Sequence, residues 1–476
     1  MRVCIVGIGP GAEQARATFE SRPGADWLLL GESRVLEGMA RARPLEELLQ
    51  ASGEPALVTA GLPARAGELV VALRELQRRE RLDELWFPAR GALAWHAIRD
   101  ARSGGPLRDA RMVVELQRGD ENLAAPLGEE CELAGLQLRD ATRFCLWQAD
   151  RVVGDERAQE ELRAAGWTLG SPRPEPREDR REARLSVVMP HRDSSWIGET
   201  LASLRAQTQP PAEIIIIDDA SSAAGLARLE EEAARDPRIR LHKLAANVGQ
   251  AEARNLGAQL AQTELLWFVD ADNLMRPRMA SRLLEALHSD PGAAWAQSGV
   301  RAFDEETGET VFVATPHPPE FSVTPLVLDN AGGDVCAIYR REQFLAAGGF
   351  ITERRMPEDW LLWQRYAARG ERGVLVPEVL YDYRLRQSSR WVSASPTTWL
   401  RFVALGAFHH PALLARGGEE LALVAAQHFG QQLERARAAA EEARREAARL
   451  RVELDRARDA LRVGRTAPEI ERERTG

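Results

Sequence analysis

Cysteine is scarce in this 476-residue chain: Cys4, Cys131, Cys145 and Cys336 lie far apart and form no CxxC pair. The spacing gives no zinc signature and fits buried free thiols in a reducing compartment. Long apolar runs are absent too, and no stretch approaches the roughly 20 residues of a membrane span. The first residues, Met1-Arg2-Val3-Cys4-Ile5-Val6-Gly7, hold too short an apolar run for a signal peptide. Excess positive charge is missing: 63 Lys and Arg stand against 72 Asp and Glu, a net charge of −9. That balance argues against a nucleic-acid partner. Most arginines are interleaved with Glu, as on solvated helix faces. A cytoplasmic protein is expected, with peripheral attachment at the inner face of a membrane left open.

What remains is an ordinary globular composition, 44% apolar and 28% charged, long enough for two or three domains. Alternating prolines with dense charge at 171–184 cannot build a core and read as a linker. Before it, short apolar runs (Arg2 to Ile8, Trp27 to Leu30, Ala56 to Ala60, Glu84 to Phe87, Met112 to Leu116, Arg151 to Val153) alternate with helical patterns such as Gly67 to Arg81 and Leu93 to Ala101. That alternation predicts a Rossmann-like α/β unit over 1–170. After the linker, strands are expected at Leu185 to Met189, Glu213 to Ile217, Ile239 to Leu244 and the run ending at Val269. Helices at Ile197 to Gln207, Gly225 to Asp236 and Gln250 to Gln262 separate them, predicting a second doubly wound sheet up to the Asp270/Asp272 strand, in a domain over 185–412. In the tail, 413–476, Leu433, Ala440, Ala447, Leu454 and Leu461 recur at heptad spacing, with Ala436, Ala443, Leu450 and Ala457 at the second seam position. This predicts a long helix or coiled coil, and with it a homo-oligomer; a single amphipathic helix folded onto the body is the alternative.

The chemistry begins where an apolar strand stops: Leu265-Leu266-Trp267-Phe268-Val269-Asp270-Ala271-Asp272-Asn273. Ligands bind outside the carboxyl ends of strands in open α/β sheets. Two hard oxygen ligands there suit Mg²⁺ or Mn²⁺, which also take substrate phosphates. The alternative is a pair of helix N-cap acids before Met275-Arg276-Pro277. Asp219, just past a buried isoleucine strand, offers an acceptor carboxylate to a ligand or forms an Asx turn; Asp218 is the better turn residue. Asn247-Val248-Gly249 precedes a helix whose free N–H groups attract anions. Arg254 on that helix reaches either a bound donor or a salt bridge with Glu252 or Asp218. Glu358 and Asp359 open another helix, where acids also favour the helix dipole.

The ordered set Ser186 to Pro190, Leu201 to Thr208, Ile217 to Ser222, Asn247 to Gly257, Asp270-Ala271-Asp272, Gly348-Gly349-Phe350, Glu358-Asp359-Trp360 and Tyr383-Arg384 resembles the family 2 glycosyltransferases, inverting enzymes of GT-A fold. The resemblance implies a nucleotide-diphosphate sugar donor, UDP-sugar favoured, and a glycan or lipid-linked acceptor. It implies that Asp272 holds the cation, Asp270 contacts ribose or orients the site, and Asp219 contacts the base or ribose. It implies that Asp359 is the base that takes the acceptor's proton, ionised at pH 7 if its pKa is that of a free Asp. Tyr383 to Ser389 resembles the motif that closes over the diphosphate. The family often has a histidine where Arg386 stands; arginine cannot coordinate a metal, so Arg384 and Arg386 are expected to clamp phosphate. Pro190-His191-Arg192-Asp193 departs from the usual Thr-Tyr-Asn after proline, leaving Arg192 to stack on the base.

In the first unit, Gly7-Ile8-Gly9-Pro10-Gly11-Ala12 matches GxGxxA, but Pro10 removes an N–H and no acid ends a second strand at about 20 positions on, so NAD is disfavoured. Asp83 to Leu93 and Phe144 to Trp167 resemble the N-terminal half of family 4, GT-B glycosyltransferases, which mainly handles the acceptor. Arg90 and His96 are its polar candidates near a crevice, with surface or core roles as the alternative. Two other functions compete with transfer. A sugar nucleotidyltransferase requires a Gly-rich loop with a basic residue after its first strand, which is not seen. A non-catalytic glycan-assembly scaffold does not require Asp219, Asp272 and Asp359.

Overall fold

A computed structural model describes residues 2–8, 26–31, 36, 42–53, 55, 57, 62–118, 120–124, 133–170, 184–316, 323–353 and 357–386, with scattered positions between 406 and 453. The expected linker (except Arg184), the loop Gly9 to Ala12, Cys131, most of Ala56 to Ala60 and most of the heptad tail lie outside the described residues. Among the described residues no helix is long and apolar enough to cross a membrane. Cys4, Cys145 and Cys336 are free and buried, as expected from their spacing.

The first sheet holds β1 (Arg2–Gly7), β2 (Asp26–Gly31), β3 (Ala42–Pro44), β4 (Glu84–Pro88), β5 (Arg111–Leu116) and β6 (Arg151–Gly154), ordered β3-β2-β1-β4-β5-β6. Every pairing is parallel, and the order reverses between β1 and β4. Helices α1 (Leu45–Ser52), α2 (Ala64–Glu80), α3 (Trp95–Arg102), α4 (Leu133–Gln148) and α5 (Glu156–Ala164) connect the strands. Strand β3 was not expected; three residues ending in proline carry too little pattern to be read.

The second sheet begins with alternation. Strand β7 (Leu185–His191) leads to α6 (Ile197–Arg205), β8 (Glu213–Asp218), α7 (Ala223–Ala234), β9 (Ile239–Lys243), α8 (Gln250–Leu260) and β10 (Leu265–Phe268). All six residues of β8 are buried, as an isoleucine run covered on both faces requires. Ser222 caps α7 by accepting from the Gly225 N–H at 3.2 Å. Gly257 of α8 packs so closely on β7 that a Cβ there would lie 2.3 Å from Val188 Cγ1.

Beyond β10, the last strand read from the sequence, the sheet becomes mixed. The chain adds β11 (Leu274–Met275), α9 (Met279–Ser289), β12 (Trp295–Asp304), β13 (Thr310–Ala314), α10 (Thr324–Leu328), β14 (Ile338–Arg340), α11 (Arg341–Ala346), α12 (Glu358–Ala368) and β15 (Gly373–Leu385). The sheet order is β11-β15-β12-β14-β10-β7-β8-β9, with β13 paired to β12. Only β10-β7-β8-β9 is a continuous parallel block. Strand β14 runs antiparallel to both β10 and β12, while β12 and β15 are parallel to each other. Phe268, Tyr339, Phe344 and Phe350 fill the core beside β10, with Phe268 centroids 5.0–5.2 Å from the other three rings. Each such buried ring contributes about 1.5–3 kcal/mol.

The two sheets meet at a bulge. Ser298 of β12 pairs with Val376 and Gly299 with Val379, leaving Pro377 and Glu378 of β15 out of register. Arg74 of α2, itself buried and paired with Asp100 of α3 at 2.7 Å, donates to the Pro377 carbonyl at 2.8 Å. Glu378 accepts from Arg282 at 2.7 Å and Arg278 at 2.9 Å.

Candidate active site

Register decides which side chains meet. His191 of β7 stands beside Asp218 of β8, and Val188 beside Phe268 of β10. The carboxyl ends of three strands therefore deliver Pro190 to Asp193, Asp218-Asp219 and Asp270 to Asp272 to one edge. Strand β15 arrives by pairing Asp382 with Leu274 of β11. The Arg384 N–H then donates to Asn273 Oδ1 at 3.2 Å. Together these walls enclose a cleft of about 530 Å³ lined by Pro190, His191, Arg192, Asp219, Asp270, Asp272, Tyr383, Arg384 and Arg386, among others. That size lies within the roughly 300–1,000 Å³ of small-molecule sites.

Asp272 is half-buried and faces the cleft. Burial first, then the charge of Asp270, push its carboxyl up to about 6, against the opposing pull of Arg386 and Arg384. Arg386 Nη2 donates to Asp272 Oδ2. Arg384 Nε donates to the Asp272 carbonyl at 3.1 Å and Nη2 to Glu199 at 2.7 Å. Both guanidinium groups lie over the Trp196 ring, at 5.2 and 4.9 Å.

Two residues expected to touch a donor are occupied otherwise. Asp219 lines the cleft, but its carboxylate accepts from Asn247 Nδ2 at 2.6 Å, the Val248 N–H at 2.6 Å and the Gly249 N–H at 2.9 Å. It holds the turn before α8, where Gly249 takes φ 95°, while Oδ1 takes only the Val248 bond and keeps a lone pair for a further donor. Asp218 is the turn residue, as expected, accepting from the Ser221 hydroxyl and N–H. Arg254 does not line the cleft; it is 1% exposed. Its partners are neither Glu252 nor Asp218 but Asp270, through Nη2, and Glu358, through Nη1 at 2.9 Å. Arg254 thus ties the end of β10 to the start of α12. Gln250 also donates to Glu358.

Asp359 looks away from this cleft into a second cavity of about 320 Å³, which it lines with Gln297, Asp329, Asn330, Asp334 and Tyr381 among others. Tyr383 lines both cavities. Asp359 accepts from the Trp360 N–H at 2.7 Å and from Asn330 Nδ2 at 3.1 Å. Burial, reinforced by the charge of Glu358, pushes its carboxyl up to about 7. The free-Asp value expected from sequence does not hold here.

Sequence reading missed several of these groups. His191 is 2% exposed, with Nδ1 3.3 Å from Asp218 Oδ1, while its buried Nε2 has no partner and the residue lines the cleft. Asn255 exchanges two hydrogen bonds with the Phe350 backbone, at 2.8 and 2.9 Å, which anchors Gly348-Gly349-Phe350 to α8. Its place on a helix next to Arg254 was the only available signal. In the first unit, His96 is buried and Arg90 pairs with Asp120 at 2.5 Å, so both take structural roles.

The glycosyl transferase family 2 model matches residues 186–344. An uncharacterised glycosyltransferase of Haemophilus influenzae is 28% identical over 178 residues, 37% of this chain and 59% of that protein. The succinoglycan biosynthesis protein ExoO of Rhizobium meliloti is 27% identical over 217 residues, 43% of this chain and 61% of that protein. The chain thus spans about three fifths of the length of these two relatives. A crystal structure of S. aureus TarS 1-349 in complex with UDP-GlcNAc is 21% identical, covers 52% of this chain and 73% of that one, and superposes with a TM-score of 0.41. Asp359 and Tyr383 to Arg386 lie beyond the matched segment, whereas the cleft residues from Pro190 to Asp272 lie within it. Over residues 186–344, then, the chain is similar to glycosyl transferase family 2.

Proposed function

We propose that the chain is an inverting glycosyltransferase that moves a sugar from a nucleoside-diphosphate donor in the larger cleft to an acceptor hydroxyl in the smaller cavity. The observation that carries this reading is the meeting of the two cavities at Tyr383, with cations and Asp272 on one side and Asp359 on the other. Domain bounds of 1–170, 185–412 and 413–476 go with the proposal, the first unit serving to position the second through the β15 bulge.

The donor set fits a divalent ion. No cluster of three His, Cys, Asp or Glu ligands exists among the described residues. However, Mg²⁺ and Mn²⁺ are commonly held by one or two carboxylates plus substrate phosphates. Asp272, with a pKa raised by burial and by Asp270, is the carboxylate that such a charge would relieve. When bound, the ion would neutralise charge on the departing diphosphate.

The remaining steps belong to the chain. Arg386 and Arg384 exchange their present acceptors for phosphate oxygens and stabilise the leaving group as its charge grows. His191, whose buried Nε2 has no partner, lines the cleft beside Asp219, and the two are the candidates for contact with the donor's base. Asp359 accepts the acceptor hydroxyl's proton as that oxygen attacks the anomeric carbon from the face opposite the diphosphate. A base poised near neutral pH combines correct ionisation with proton affinity. One direct displacement inverts the centre and needs no carboxylate nucleophile.

A thermal-shift series tests the reading. UDP with Mn²⁺ is expected to raise the melting temperature, with a smaller rise from either alone. UDP is the first nucleotide to test and GDP the second. No stabilisation by any nucleoside diphosphate, with or without metal, refutes the proposal.

A further inference from the structure

The smaller cavity has a chemical bias. Asp329, Asp334 and Asp359 all line it, and no lysine, arginine or histidine does so among the described lining residues. Its apolar wall includes Phe312, Tyr381 and Tyr383, surfaces on which the carbon face of a sugar ring stacks. Arg254, a neighbouring cation, is spent on Asp270 and Glu358.

A second feature is independent of the acids. Gln297 of β12 is 2% exposed, and both its Nε2 and its Oε1 lack a hydrogen-bond partner. An amide left unpaired in a buried site costs roughly 1–3 kcal/mol, so such a group calls for a partner, whether a ligand or a water. Gln297 lines the cavity, and its amide carries one donor edge and one acceptor edge side by side. It matches a group that presents the same pair: two vicinal hydroxyls or an acetamido group. The neighbouring Asn330 Oδ1 is also unpartnered.

We infer that this cavity selects an uncharged sugar as acceptor, read by the Gln297 amide, and rejects uronate- or phosphate-bearing sugars through the three aspartates. The inference rests on the transferase reading and gives its acceptor a chemical class. Burial raises Asp329 and Asp334 to about 6 each, and at Asp334 the crowding charge of Asp270 adds to it. An entering anion adds to that crowding, whereas neutral hydroxyls accept or donate without charge.

The test uses the full chain and a matched pair of probes, methyl β-glucoside and methyl β-glucuronide, which differ only at C6. Binding is read by saturation-transfer NMR in the presence of UDP and Mn²⁺. The neutral glycoside is expected to bind at least about tenfold more tightly than the uronide, the discrimination that one uncompensated like charge supplies. Gln297→Leu is expected to weaken the glucoside about tenfold while leaving UDP affinity unchanged, and Asp329→Asn to narrow the gap between the probes. Equal binding of the two probes to the wild-type chain, or no binding of either, overturns the inference; the wild-type comparison requires no variant to fold. UDP binding, measured by calorimetry on the same sample, reports separately on the transferase reading. Glycoside selectivity without UDP binding refutes that reading and not the selectivity.

Discussion

Asp359→Asn should raise stability and abolish transfer at the same time, and the stability gain should depend on pH. In the folded chain the Asp359 carboxyl is raised from 3.8 to about 7 by burial and by Glu358. The folded state therefore holds this proton more tightly than the unfolded chain. The associated stability is fully present below pH 3.8 and is lost as pH rises through about 7. The slope across that window is about 1.4 kcal/mol per pH unit, and the whole loss is roughly 4 kcal/mol. Asparagine keeps the shape and an acceptor for Asn330 but has no charge to desolvate. The advantage of the variant over wild type in urea unfolding should be about 2–3 kcal/mol larger at pH 8 than at pH 5, and should level off above pH 7. Transfer, followed as nucleoside diphosphate release dependent on acceptor, should fall about 10²–10⁴-fold. A pH-independent stability difference, or a variant less stable than wild type at pH 8, would show that Asp359 is not the buried, proton-hungry carboxyl described here.

Four other outcomes follow. In the wild-type chain, kcat/KM should rise about tenfold per pH unit up to about pH 7 and then plateau, since the proposed base, Asp359, would act only when ionised. Asp272→Asn should remove the Mn²⁺-dependent part of the UDP thermal shift; an undiminished shift places the ion elsewhere. Arg254→Met should destabilise by about 3–5 kcal/mol in urea unfolding, because Asp270 and Glu358 lose the charge that pairs them. Gly257→Ala should cost about 1–3 kcal/mol, since its Cβ would lie 2.3 Å from Val188 Cγ1.

The parallel half of the second sheet was readable because its strands are buried on both faces. The run Glu213 to Ile217 has no other plausible home. The mixed half was not readable. Strands β12 and β14 meet through pairings such as Trp295 with Tyr339, far apart in sequence and without a local signal. The site divides along the same line. Asp270 and Asp272 stand at the end of a readable strand, and the structure brings them to the cleft. The partner of Arg254 was unreadable because Glu358 lies 104 residues away. Asp219 is ambiguous in the sequence because a carboxylate after a strand looks alike whether it awaits a ligand or holds a turn; the Val248 and Gly249 amides reveal the turn. Gln297 has no motif at all and becomes notable only once its amide is seen to be buried without a partner.

Strand β15 joins two places that the chain keeps apart. At Pro377 and Glu378 it is gripped by arginines from the first unit and from α9. Six residues on, the same backbone presents Tyr383, Arg384 and Arg386 to the cavities. A hydrogen-bonded strand does not stretch, so a tug at its bulged end is felt at its guanidinium end. On the proposed reading, the amino-terminal unit holds the bulged end of the strand whose other end carries Arg384 and Arg386 to the cleft.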